Sequence, residues 1–76
     1  MASLTDVQNL IADQLGLSSS EVTLDSRIVE DLGAESSDIA NIVAAIEDRF
    51  GVVVPEEEIQ DFITVNDVFM GIQENS

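Results

Sequence analysis

Cysteine, histidine, lysine, tryptophan and tyrosine are all missing from this 76-residue chain. Each absence removes a class of chemistry. Without cysteine there is no disulfide framework, no thiolate metal site and no thiol nucleophile. Without histidine the commonest general base is gone, so a serine here has no imidazole to take its proton. Arg27 and Arg49 are the only basic residues, set against 16 acids, for a net charge of -14. Such a field repels phosphate backbones and anionic headgroups, which argues against nucleic acid and membrane surfaces as partners and favours basic protein surfaces. A well-charged surface also serves plain solubility. No apolar run approaches membrane-spanning length, and Met1-Ala2-Ser3-Leu4 lacks the basic and apolar regions of a signal peptide. A cytoplasmic chain without membrane insertion is the expectation.

What is present reads as folded. Hydrophobic residues make up 45% of the chain, typical of a globular domain and not of a disordered one. This length suits a single domain spanning residues 1–76, burying only about 60% of its extended surface.

The apolar spacing predicts helices. Leu4, Val7, Leu10, Ile11 and Leu15 form a first amphipathic stripe, with Ser3 or Thr5 as cap and Gly16 as stop. From Leu17 to Ala34 no period holds. This segment reads as a long loop with a brief Ser18–Glu21 turn, pinned to the core by Val22, Leu24, Ile28 and Leu32. Ile39, Ile42, Val43, Ile46 and Phe50 mark a second helix, with Glu35 and Asp38 at its positive end and Gly51 as stop. On its wheel Ser37, Asn41, Ala44, Ala45 and Asp48 face outward. Val52-Val53-Val54 is too short for a strand and reads as a connector. Pro55 then opens a short third helix in its first turn, with Glu56, Glu57 and Glu58 behind it and Ile59 and Phe62 inward. Thr64 with Asp67 caps a fourth, with Val65, Val68, Phe69 and Ile72 facing in. The expected class is all-α: a bundle of three longer helices, one short third helix and a long loop between helices one and two.

Several pieces, in their order and spacing, resemble the acyl carrier proteins: Glu21-Val22-Thr23, Val29-Glu30-Asp31-Leu32-Gly33-Ala34, Ser36, Ile46-Glu47-Asp48-Arg49-Phe50, Pro55-Glu56-Glu57-Glu58 and Thr64-Val65. The resemblance implies a four-helix bundle with a 4′-phosphopantetheine arm on the serine of an Asp-Ser-Leu motif. It implies a carrier without catalysis of its own, a monomer acted on by a phosphopantetheinyl transferase and by acyl-loading and acyl-processing enzymes with basic docking surfaces. Here the motif reads Glu35-Ser36-Ser37, so both flanks of the serine differ from the family's. Asn41 stands where an acid is usual and Ala44 where a bulkier residue is. Glu35, Ser37, Asp38, Asn41, Ala44, Glu47, Asp48, Glu56 and Glu57 are the implied partner-recognition residues. The smaller, more neutral face suggests a specialised member with its own partners.

Bland readings stand beside these. Serine is a preferred N-cap, so Ser36 suits a purely structural role as well. Gly33 and Ala34 are small enough to leave Ser36 accessible. Glu30, Asp31, Glu35 and Asp38 lack the spacing and turn glycine of a calcium loop, so no dedicated metal site is expected. The cargo is open between a fatty acyl chain, a polyketide unit and an aminoacyl group. The competing class is an unmodified, carrier-like acidic interaction domain.

Overall fold

Each helix begins and ends where local chemistry dictates. The computed structural model describes residues 2–76 and contains α1 (Leu4–Leu15), α2 (Ser36–Phe50), α3 (Glu56–Ile59) and α4 (Val65–Asn75), with a 3₁₀ turn at Ser19–Glu21. Ser3 caps α1: its hydroxyl accepts from the Asp6 amide at 3.2 Å, and its own amide donates to Asp6 Oδ2 at 3.0 Å. Thr64 and Asp67 repeat the reciprocal pair at α4, at 3.2 and 2.9 Å. Gly16 and Gly51 end α1 and α2 in the left-handed conformation. Pro55 stands one position earlier than expected, as the N-cap of α3.

The stripes meet in one core. Val7, Leu10, Ile11, Val22, Ile46, Val65 and Val68 are fully shielded from solvent, with Ile28, Ile42 and Ile72 almost so. α1 packs against α2 and α4 and carries the 3₁₀ turn on its flank. Of the expected inward positions, Leu15, Leu32, Ile39, Phe50, Ile59 and Phe69 are half-buried against this core.

The long loop is held by backbone as well as by side chains. Ile28 N–H donates to the Ile63 carbonyl at 2.8 Å, Val65 N–H to Ser26 at 3.0 Å and Asn66 N–H to Leu24 at 3.0 Å. These bonds, with the antiparallel bridge between Arg27 and Thr64, stitch the loop to the entry of α4. The Gln8 side chain adds a 2.7 Å bond to the Val22 carbonyl. Leu24 therefore departs from expectation. Its side chain is exposed and its backbone does the anchoring. Val22 and Ile28 are the buried pins.

Ala45 also differs from the wheel, being half-buried against the core. The connector is extended without a partner strand. Val52 and Val54 point inward while Val53 between them is 74% exposed, the alternation of any extended segment.

Both cations are spent within the fold. Arg27 pairs with Glu30 and Asp31, and Arg49 reaches Asp13 at 3.7 Å, all in largely exposed positions. The remaining acids repel one another, and the caps oppose that trend at low pH. Backbone N–H groups of Ser3, Arg27 and Thr64 hold the carboxyls of Asp6, Asp31 and Asp67 below the ordinary 3.8. A lowered folded pKa stabilises above the unfolded value, and this contribution is lost as pH falls through the folded one. In low salt, Tm is thus expected to rise from pH 7 towards about 4.5 as self-repulsion is relieved, then fall below about 3.5. Magnesium at neutral pH should raise Tm as well. Flat melting temperatures across both series would show that the acids are too dispersed to matter.

Candidate functional site

Ser36 owes its position to the turn before it. Arg27 N–H donates to Asp31 Oδ2 at 2.9 Å, and the Arg27 carbonyl accepts from the Asp31 and Leu32 amides. Gly33 follows at φ +73°, a conformation that L side chains rarely adopt, and it lets Ala34 N–H reach the Ile28 carbonyl at 3.0 Å. Ala34 is buried. Its small size lets the loop dock into the core, and Ser36 beyond it is exposed, as expected.

Glu35, in extended conformation, is the N-cap of α2, and Ser36 is the first residue within the helix. The capping role considered for Ser36 is thus taken by its neighbour. Asp38 completes the start: its Oδ2 accepts from the Glu35 amide at 2.9 Å. This leaves Asp38 half-buried and turned to the helix end, while Ser36 and Ser37 are exposed. The first amides of an α-helix have no acceptor within it, and the dipole there favours an anion. An exposed hydroxyl at this point can carry a phosphodiester. The ionisable groups beside it are the carboxylates Glu35 and Asp38.

Two open grooves meet at Ser36. The larger, about 640 Å³, is lined by Ser36 and Ile39 of α2, Glu56 and Ile59 of α3, and Val29, Phe62 and Ile63 among others. The smaller, about 360 Å³, runs along α2 past Ala40, Val43, Ala44 and Glu47. Ser36, Ile39, Glu56 and Ile59 border both. Of the sequence-predicted recognition residues, the structure brings Ala44, Glu47 and Glu56 to the groove walls with Ser36. Glu35, Ser37, Asn41, Asp48 and Glu57 are exposed on the surrounding surface, outside the linings of these two grooves.

The pattern missed Val29 and Ile63, exposed by 53% and 60%. Both lie outside the periodic segments, Val29 in the turn that follows Arg27, so no apolar stripe pointed to them. Arg27 and Gln60 supply the polar rim of the larger groove. Among the described residues no group of three or more acids comes together to hold a metal ion.

Residues 5–69 match the family model described as the phosphopantetheine attachment site. The chain belongs to the acyl carrier protein family. It is 37% identical to the acyl carrier protein of Helicobacter acinonychis (strain Sheeba), covering 99% of this chain and 96% of that protein. It is 39% identical to that of Wolinella succinogenes, covering 99% of each. Among solved structures, the apo doublet acyl carrier protein from prodigiosin biosynthesis superposes with a TM-score of 0.83 at 31% identity. That match covers 96% of this chain and 36% of the doublet. The bundle expected from the sequence, with its short third helix and long first loop, is the acyl carrier fold. Proteins of this family are carriers and not catalysts, and they bear 4′-phosphopantetheine on a serine. No helix among the described residues is long and apolar enough to cross a membrane.

Proposed function

We propose that this chain carries its 4′-phosphopantetheine on Ser36 and presents acyl intermediates of fatty-acid, polyketide or related specialised biosynthesis to partner enzymes in the cytoplasm. The observation that carries this reading is the place of Ser36, exposed at the first position of α2 and bordering an apolar groove shared with α3. When bound, the arm supplies a thiol that holds the acyl group as a thioester. The chain's own part is to expose the hydroxyl, to offer the start of α2 to the phosphodiester, and to shelter apolar cargo against Ile39, Ile59 and Phe62. Incubation with coenzyme A and a broad-specificity phosphopantetheinyl transferase should add the mass of one arm. An unchanged intact mass would favour the unmodified interaction domain.

Docking follows from charge. Glu35, Glu47, Asp48, Glu56 and Glu57 are exposed, so partners with basic entrances should bind quickly, weakly and with strong salt dependence. Ser37 and Asn41 soften this face where the resembling family offers an apolar residue and an acid. Ser37→Leu with Asn41→Glu is expected to speed loading by a generic transferase and turnover by a fatty-acid ketosynthase several-fold. Both side chains are exposed, so the melting temperature should hold. Ala44 is left out of this pair because it lines the smaller groove, where a larger side chain would also crowd cargo. Equal rates for the two proteins would remove this face as the determinant of partner choice.

A further inference from the structure

Phe62 occupies an unusual seat. It follows α3, is 7% exposed, and among the described residues is the one that lines both the larger Ser36 groove and the crevice between α3 and α4. That crevice, about 160 Å³, is bordered by Glu58, Asp61, Asp67, Met70, Gly71 and Glu74. The ring stands between the two spaces because α4 has no side chain at Gly71. A Cβ built there would fall 2.9 Å from both Cε1 and Cζ of Phe62, closer than real contacts allow. Gly71 is buried within α4, where glycine weakens a helix relative to alanine. Its conformation is helical, so no turn requires it. The ring of Phe62 is what fills the space that it leaves.

We propose that Phe62, seated on Gly71, is the end-stop of the Ser36 groove and sets the length of aliphatic chain that the carrier accommodates. The proposal rests on Ser36 as the attachment point, because the groove begins at that residue. From there the apolar part of the lining is Ile39, Ile59, Val29 and Ile63, beside the polar Arg27, Glu30, Glu56 and Gln60, and Phe62 stands between it and the crevice beyond. A smaller side chain at position 62 joins the two spaces. A methyl group at position 71 drives the ring towards the groove and shortens it.

The absence of native cysteine allows a test that needs no phosphopantetheine. In a Ser36→Cys background, alkyl methanethiosulfonates of two to twelve carbons each attach one chain through a disulfide and release methanesulfinate. With Phe62 in place, Tm is expected to climb by roughly 3–6 °C per buried methylene and then level off. Adding Phe62→Leu should extend the climb by at least two carbons, and adding Gly71→Ala should end it sooner. If Phe62→Leu does not fold, Gly71→Ala, which keeps the ring, carries the test alone. Superimposable curves, or no climb in any background, would overturn the proposal. Failure of a transferase to modify native Ser36 would instead strike the functional reading and leave these curves intact.

Discussion

Ser36→Ala is expected to abolish arm addition completely, while Ser37→Ala keeps the full mass shift. The two hydroxyls are adjacent and both exposed, so accessibility does not separate them. Their placement does. Ser36 is the first residue of α2 and borders both grooves, whereas Ser37 borders neither. A phosphodiester on Ser36 starts where the groove starts, which lets the arm and its cargo lie against Ile39 and Ile59. Intact mass after exhaustive incubation with transferase and coenzyme A reads the result. A shift retained in Ser36→Ala and lost in Ser37→Ala would move the attachment site by one residue. Loss in both would mean that the transferase needs the serine pair as a unit. Neither substitution touches the core, so circular dichroism should show native helix throughout.

The second large effect is on stability. Ile46 lies in the second half of α2 with no solvent exposure, in the core that α2 shares with α1 and α4. Truncation to alanine removes its burial and leaves a cavity, a loss of about 2–5 kcal/mol. A domain of this length holds only about 4–11 kcal/mol in total. Ile46→Ala should therefore lower Tm by more than about 10 °C and expose apolar surface. Val53→Ala is the matched control, because Val53 is 74% exposed and surface changes usually stay within about 0.5 kcal/mol. Thermal melts of the two variants decide it. Equal, small shifts would mean that the packing around Ile46 is loose enough to collapse into the cavity.

Helix boundaries were legible in the sequence because the signals are local. Ser3 with Asp6, Thr64 with Asp67, and the stops at Gly16 and Gly51 act within one turn of backbone, and each works as its residue type predicts. The apolar stripes were legible for the same reason, since period alone fixes which side of a helix is buried. The order of motifs from Glu21 to Val65 indicated the family. The missing imidazole argued against a nucleophilic serine without any structure.

Tertiary structure decided whatever depends on elements far apart in the chain. The loop's attachment to Ile63, Val65 and Asn66 made Leu24 a backbone anchor and left its side chain partly exposed. Asp38 drew the cap to Glu35 and freed Ser36 from it, a matter of one residue that propensity cannot resolve because serine suits both positions. Burial of Ala34, and half-burial of Ala45, are features that their own periods do not reveal. The larger groove beside Ser36 exists only where the loop, α2 and α3 meet, and the smaller only where α2 meets α3. The seat of Phe62 on Gly71 is the clearest case: each residue alone reads as an ordinary core phenylalanine and a helix-weakening glycine, and only their contact across α4 gives either a purpose.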